Sequence, residues 1–262
     1  MVLNREKLLS HIRDQDAKQA LVKVLDRVEI VLRRNSVETS DFLDPYHLEL
    51  AKGVLRGLDI SWLDWGGFSH AERCKLAIGP SFKELGQGEV DLAVLKVVGG
   101  SDFHSLNHRD YLGSLLGLGI RREKVGDIVA NPQQAWLVLE SGISAYAAQN
   151  LSRVGKVPVE VQEVNVSDIV LPEEQFKQIK ATVPSLRLDA VAGEGFALSR
   201  GKIAAVIESG KVKVNWQSVD QVSFQVKEGD VISCRGLGRI ILAEVKGETK
   251  KGRIALVINR LT

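Results

Sequence analysis

Cysteine, aromatic side chains and long apolar runs are what this chain of 262 residues has least of. Its two cysteines, Cys74 and Cys234, are too few and too far apart for a disulfide framework or a four-ligand zinc site. Phe, Trp and Tyr together make up 5%, so a core must be built mostly from Val, Leu, Ile and Ala. No apolar run approaches the ~18 residues that span a bilayer. The start, Met1-Val2-Leu3-Asn4-Arg5-Glu6-Lys7, lacks the apolar stretch and small-residue cleavage site of a secretory signal. These absences argue against a membrane, secreted or zinc-finger protein and lead us to expect a soluble protein of a reducing, cytoplasmic compartment. Apolar residues at 44% and charged residues at 26% are ordinary globular values, which excludes a disordered tail or a coiled-coil rod.

Net charge is also small, at +2, but it is unevenly spread. Residues 1–180 hold 22 Lys and Arg against 25 Asp and Glu, whereas residues 181–262 hold 13 against 8. A basic C-terminal third suggests a polyanionic partner that touches mainly that end. The plainer reading is a solvated basic face.

Hydrophobic spacing divides the chain into three. Residues 7–34 repeat apolar positions at helical intervals, and Asp41-Phe42-Leu43-Asp44-Pro45 reads as a cap and turn before a helix through Leu48, Ala51, Leu55 and Leu58. Gly66-Gly67 breaks the chain, so residues 1–80 are expected to form a mainly helical N-terminal region. Residues 81–180 alternate strand, helix, strand, helix, strand: Val90–Val98, Tyr111–Leu118, Ala135–Leu139, Ile143–Val154 and Val157–Val161. That order predicts an RRM-like α/β middle domain with helices on one face. From residue 181, two short helices (Leu186–Phe196, Ile203–Ile207) precede three alternating segments around Val212–Trp216, Val222–Val226 and Val231–Ile232. A closing hairpin, Ile240–Val245 and Ile254–Ile258, carries a basic tip. The fold class is therefore α+β.

Several enzyme signatures are nearly present and fail on spacing. His108-Arg109-Asp110 resembles a kinase catalytic loop, but Leu115 stands where its Asn is required. Ser101-Asp102-Phe103-His104 precedes that segment instead of following it. His104 and His108 have a metal-compatible spacing only if one helix carries both, and Leu106-Asn107 reads as a helix start, so they are taken as structural or surface residues. Gly117-Leu118-Gly119 and Gly236-Leu237-Gly238 lack the third Gly of a dinucleotide site. No metal site, cofactor or catalytic residue is expected. Arg121, Arg122 and Lys124, clustered beside a glycine-rich turn, either are solvated or join His108 and Arg109 in a second phosphate-facing contact.

The sharpest signal is C-terminal. Arg187-Leu188-Asp189 opens one helix, and Ser199-Arg200-Gly201-Lys202 opens another, with Ser199 placed to cap free N–H groups. Lys211-Val212-Lys213-Val214-Asn215 follows as a strand. With Ile203, Val206 and Ile207 facing the core, Arg187, Arg200, Lys202, Lys211 and Lys213 can gather on the opposite side, two of them at a helix N-terminus that favours anions.

Residues 185–235 resemble the S-four RNA-binding domain through Arg-Leu-Asp, Ser-Arg-x-Lys, Gly-Lys-Val-x-Val-Asn and a Lys-x-Gly-Asp turn. Trp216 stands where most such domains have Gly. Val-Asn-Trp, together with Arg235-Gly236-Leu237-Gly238-Arg239, is similar to YlmH-like proteins, the photosystem II S-four domain family of cyanobacteria and plastids. His-Arg-Asp-Tyr-Leu-Gly from His108, Phe42-Leu43-Asp44-Pro45 and Gly67-Phe68-x-x-Ala71-Glu72-Arg73 carry the same resemblance, which covers nearly the whole chain. It implies a non-catalytic RNA-binding protein with an N-terminal region, an RRM-like middle domain and a C-terminal S-four domain of the αL type (181–262) with a β extension. It also implies association with ribosomes, chiefly large subunits carrying stalled peptidyl-tRNA in translation quality control, and a family link to cell division that no residue explains. The middle strands lack the interleaved aromatics on which an RRM stacks bases.

The first functional reading is docking on structured rRNA or tRNA, without cofactor or membrane, through Arg187, Ser199, Arg200, Lys202, Lys211, Lys213 and Asn215, extended by Arg235 and Arg239. The alternatives are an RNA-modifying enzyme of pseudouridine-synthase type, for which Asp110 is the acid to test, and a division or cytoskeletal adaptor.

Overall fold

The computed structural model describes residues 3–99, 106–131, 133–172 and 176–261, and the chain folds as two units, 1–172 and 173–262. His104 and Ser101-Asp102-Phe103 lie outside the described residues.

In the first unit the expected helix over 7–34 is two helices, α1 (Arg5–Leu9) and α2 (Gln15–Arg34). Asp14 restarts the helix because its carboxylate accepts the amides of Asp16 and Ala17 at 2.9 and 3.4 Å. Ala17, Leu21, Val24, Leu25, Val28 and Val31 then bury one stripe of α2. After β1 (Glu38–Thr39), α3 (Pro45–Leu55) begins as expected, with Pro45 in its first turn and Asp44 accepting the His47 amide at 3.0 Å. The N-terminal region is not mainly helical throughout. β2 (Ile60–Trp65) and β3 (Lys75–Pro80) form an antiparallel sheet with β1, in the order β1–β3–β2. Every residue of β3 is buried, and a strand covered on both faces has no period-two pattern to read.

The rest of this unit runs β4 (Ala93–Val98), α4 (His108–Gly117), β5 (Val125–Ala130), β6 (Gln134–Leu139), α5 (Ser141–Asn150), the short pair β7 (Arg153–Val154) and β8 (Val157–Pro158), and β9 (Glu160–Val164). The antiparallel order β5–β6–β4–β9 is the split βαβ arrangement expected of an RRM-like segment. β5 escapes the sequence reading because a bulge between Val125 and Ile128 interrupts its alternation. Leu95, Val97, Leu137 and Leu139 pack with Tyr111, Leu115 and Ala147 on the helix side.

The opposite sheet face is closed by the N-terminal region. Phe42 packs with Val94, Val129, Trp136 and Val138, flanked by Phe68. Gly126 allows the approach, since a Cβ there would lie 2.7 Å from the Phe42 ring. Arg73 donates to the carbonyls of Val125 at 2.9 Å and Phe42 at 3.0 Å, while Asp127 accepts the Glu72 and Arg73 amides at 2.6 and 3.2 Å. The buried Lys75 ammonium donates to the Asp91 carbonyl at 2.7 Å and lies 3.4 Å from Glu140.

The second unit is one six-stranded antiparallel sheet carrying two helices: β10 (Phe176–Val183), α6 (Leu188–Phe196), α7 (Arg200–Glu208), β11 (Val212–Val214), β12 (Gln217–Ser218), β13 (Val231–Cys234), β14 (Gly238–Glu248) and β15 (Ile254–Leu261), ordered β10–β15–β14–β13–β11–β12. β10 pairs along its length with β15, so residues 176–180, placed at the end of the middle segment by sequence, belong to this sheet. Val222–Val226 is not a strand; it runs beside residues 186–189, held by the Val226 amide to the Leu186 carbonyl at 2.9 Å and the Leu188 amide to the Phe224 carbonyl at 2.8 Å, with the isolated bridge Arg187–Gln225 between them. Leu188, Val191, Phe196, Ile203 and Ile207 pack on Ile232, Ile240, Leu242, Leu256 and Ile258.

Gly126→Ala is expected to lower stability by about 1–3 kcal/mol by overpacking against Phe42. Phe42→Leu in the same chain should recover part of that loss, and urea unfolding of the four-member set measures the coupling.

Candidate nucleic-acid interface

α6 and α7 begin on either side of one carboxylate. Asp189 is buried and receives Arg187 Nε at 3.0 Å and Arg200 Nη2 at 2.6 Å. Burial pushes its pKa up, but the hydrogen bonds from Arg187 and Arg200 outweigh that and hold it below the ordinary 3.8. Arg187 and Arg200 are thus oriented by Asp189, with the Arg200 side chain still 54% exposed. Ser199 occupies the N-cap position of α7 but makes no side-chain cap hydrogen bond, which corrects the expected capping role. Its exposed hydroxyl leaves the first-turn amides without a side-chain acceptor.

A second buried acid sets the far end of the face. Asp230 accepts Asn215 Nδ2 and the Lys227 amide, both at 2.9 Å, and Asn215 Oδ1 accepts the Val231 amide at 2.9 Å. The Asn215 side chain thus holds the turn through Oδ1 and one Nδ2 hydrogen, while the residue itself stays exposed. Asn215 and Trp216 have φ of 47° and 66° and join β11 to β12 as a two-residue hairpin turn. Trp in that left-handed position is costly where Gly would be free, and its ring lies 5.5 Å from the Arg239 guanidinium. In the sequence Trp216 marks a departure from the S-four pattern and part of the YlmH-like Val-Asn-Trp, with no contact role assigned; an aromatic in a glycine position was the available signal.

Strand register places Lys213 opposite Ser233 and Ser233 opposite Arg239, so these three share the face away from the core. Lys202, Lys211, Lys213 and Arg235 are exposed, and their side chains make no internal hydrogen bond or ion pair among the described residues.

The residues of the second expected contact are buried to different degrees. Arg122 donates to the carbonyls of Val125 at 2.6 Å and Gly126 at 3.4 Å, and burial pushes its guanidinium pKa down to about 10. Lys124 pairs with Asp41 at 2.9 Å and Glu140 at 2.6 Å. Both are internal ties of the first unit. Arg121 is exposed, 3.7 Å from Glu123, and His108 and Arg109 are exposed at the start of α4. Asp110, the acid singled out for the enzyme alternative, accepts the Asn107 amide at 3.0 Å in a capping box. Burial pushes the Cys74 thiol up to about 11. Among the described residues no cluster of three or more His, Cys, Asp or Glu could hold a metal ion, and no helix is long and apolar enough to cross a membrane.

Comparison with known proteins reads this chain end to end. Family models match at residues 16–82 ("YlmH, N-terminal"), 86–168 ("Putative RNA-binding domain in YlmH") and 186–232 ("S4 domain"). The "Ribosome-associated protein quality control protein P2" of Bacillus subtilis (strain 168) is 32% identical over 253 residues, covering 97% of this chain and 98% of the relative. The chain belongs to the YlmH family. A solved structure, "Cell division protein ylmH from Streptococcus pneumoniae", has the same fold over 60% of this chain and 96% of its own, with a TM-score of 0.53 and 16% identity. In this YlmH protein the S4 match takes in α6, α7, β11, β12 and the first half of β13. The motif residues Phe42, Glu72 and Arg73 fall outside it, among the contacts that close the sheet of the first unit, and Asp44 caps α3.

Asp189→Asn tests the double ion pair. Because the folded-state pKa is depressed, its stabilisation is present above the unfolded value and is lost as pH falls through the folded one. Allowing for solvent screening of the arginines, the variant should be about 1 kcal/mol less stable in urea at neutral pH. That gap should begin to narrow as pH falls below about 4, the ordinary carboxylate range, and close only below the depressed folded-state pKa, where the wild-type carboxylate is protonated.

Proposed function

We propose that this YlmH-family protein is a non-catalytic RNA-binding protein that docks on structured rRNA or tRNA through the α6–α7–β11 face of its second unit. The observation that carries this reading is the set of exposed, internally unengaged cations Lys202, Lys211, Lys213 and Arg235, beside two arginines oriented by Asp189. Such cations bind phosphates and fix position, so discrimination comes from RNA shape. Trp216 under Arg239 adds one surface on which an unpaired base can stack. The closed sheet of the first unit supports the same assignment, since its inner aromatic, Trp136, is 1% exposed. A second contact by that unit is left to the exposed Arg109 and Arg121, beside His108.

The name of the Bacillus subtilis relative supports a ribosomal setting. On this reading the partner is the large subunit carrying peptidyl-tRNA, the process is translation quality control, and the compartment is the cytoplasm.

Lys202→Ala with Lys213→Ala, both exposed, should weaken binding to purified large-subunit rRNA and reduce the log–log salt slope by up to ~0.9 per lost contact. Filter binding across a salt series reads both quantities, and an affinity and slope equal to wild type would overturn the reading. Arg200→Ala is the poorer test, because it also strips a partner from the buried Asp189.

A further inference from the structure

The basic excess of the C-terminal third does not lie in the S4 match. Residues 186–232 hold six Lys and Arg against six Asp and Glu, whereas residues 233–262 hold seven against two. The whole +5 therefore belongs to the Arg235–Arg239 turn and the β14–β15 hairpin.

The hairpin reaches beyond what packing requires. Register shifts between Leu242 and Glu244 and between Val245 and Gly247 bend β14, and past them Lys246, Gly247 and Glu248 are exposed, as are Lys250 to Arg253 at the tip. The tip is nonetheless built: the Thr249 amide donates to the Arg253 carbonyl at 2.7 Å and the Gly252 amide to the Thr249 carbonyl at 2.9 Å. Arg253 ties it to β10, donating from Nε to Thr182 Oγ1 at 3.2 Å and from Nη2 to the Thr182 carbonyl. β10 brings Lys177 and Lys180, both exposed, with no acid between residues 176 and 183.

Between β10, β15 and β14 lies an open groove of about 380 Å³ with Lys180, Thr182 and Lys246 on its walls and Ala255 and Val257 on its floor. The register aligns Thr182, Ala255 and Gly247 across three strands, so small residues keep the groove open. Glu244 lies 3.5 Å from Lys246, but both are about half exposed, and such a pair is weak enough for a phosphate to displace.

We propose that this groove and the hairpin tip form a second RNA-backbone surface, separate from the α6–α7 face, in which Lys180, Lys246, Lys250 and Lys251 take phosphates and the Ala255–Val257 floor lies under the sugars. The proposal rests on the RNA-binding reading and adds to it a two-sided grip from one unit. Lysines on an edge strand also discourage strand addition, but that role does not require the tip lysines on the neighbouring hairpin. A lipid surface fits less well. Phe176, the exposed large apolar residue among the described residues of this unit, is at the far end of β10 from the tip.

The test uses the full chain, with bulk tRNA and large-subunit rRNA as probes in filter binding from about 50 to 200 mM salt. Lys180→Gln/Lys246→Gln and Lys250→Gln/Lys251→Gln are compared with Lys202→Ala/Lys213→Ala, and circular dichroism verifies each fold. Each hairpin pair should weaken binding about tenfold to at least one probe and lower the salt slope by up to ~0.9 per lysine, and combining them with the α6–α7 pair should lower it further. Hairpin variants that bind like wild type, while the α6–α7 pair is weakened, would overturn the second surface and leave the RNA-binding reading standing. Failure of the wild-type chain to bind either RNA would overturn both. If the hairpin pairs lose binding only to phosphatidylglycerol vesicles and keep wild-type RNA affinity, the surface faces lipid and the proposal fails.

Discussion

An antiparallel sheet with helices on one side still has an apolar second face to keep from water. In the first unit that face carries Val94, Val129, Trp136 and Val138, and Phe42 seals it. Everything around Phe42 serves this closure: Gly126 makes room for the ring, Arg73 holds the Phe42 carbonyl to β5, and Asp127 holds the Arg73 amide. The consequence reaches function. The sheet surface on which an RRM would stack bases is occupied by the protein itself, so any contact proposed for this unit lies off that face, and the main RNA-contacting role proposed for the chain falls on the second unit.

In that second unit two buried acids do the sorting. Asp189 gathers Arg187 and Arg200, and Asp230 gathers Asn215 and the turn that begins at Lys227. A guanidinium can keep one fork on a carboxylate and still present donors outward, whereas an ammonium acts as a single solvated charge. The paired cations of this face are accordingly arginines, and the internally unengaged ones are mostly lysines. Exposed lysines that neutralise phosphates release the counterions condensed on a nucleic acid, which gives affinity without base identity.

Legibility followed local physics. α3, α4, α6 and α7 were readable from apolar spacing, Pro45 and the glycine stops, because those signals act within a few residues. β3 was hidden by burial on both faces and β5 by its bulge. Val222–Val226 alternated like a strand but lacked a ladder partner, which no local pattern reveals. At the site, the cations of the α6–α7 face were all found in the sequence, as was Asn215. That Asn215 holds a turn, and that Ser199 leaves its helix uncapped, depended on atoms far along the chain.

The residues alone determined the family, the α+β class and the presence of a basic C-terminal third, since motif spacing, periodicity and charge are properties of the chain in order. Tertiary structure decided which charges are free. Lys124 and Lys213 are the same side chain in sequence, yet one is locked between Asp41 and Glu140 and the other faces solvent. Charge interactions depend on distance and on exclusion of water, and both are set only when strands and helices remote in sequence are brought together.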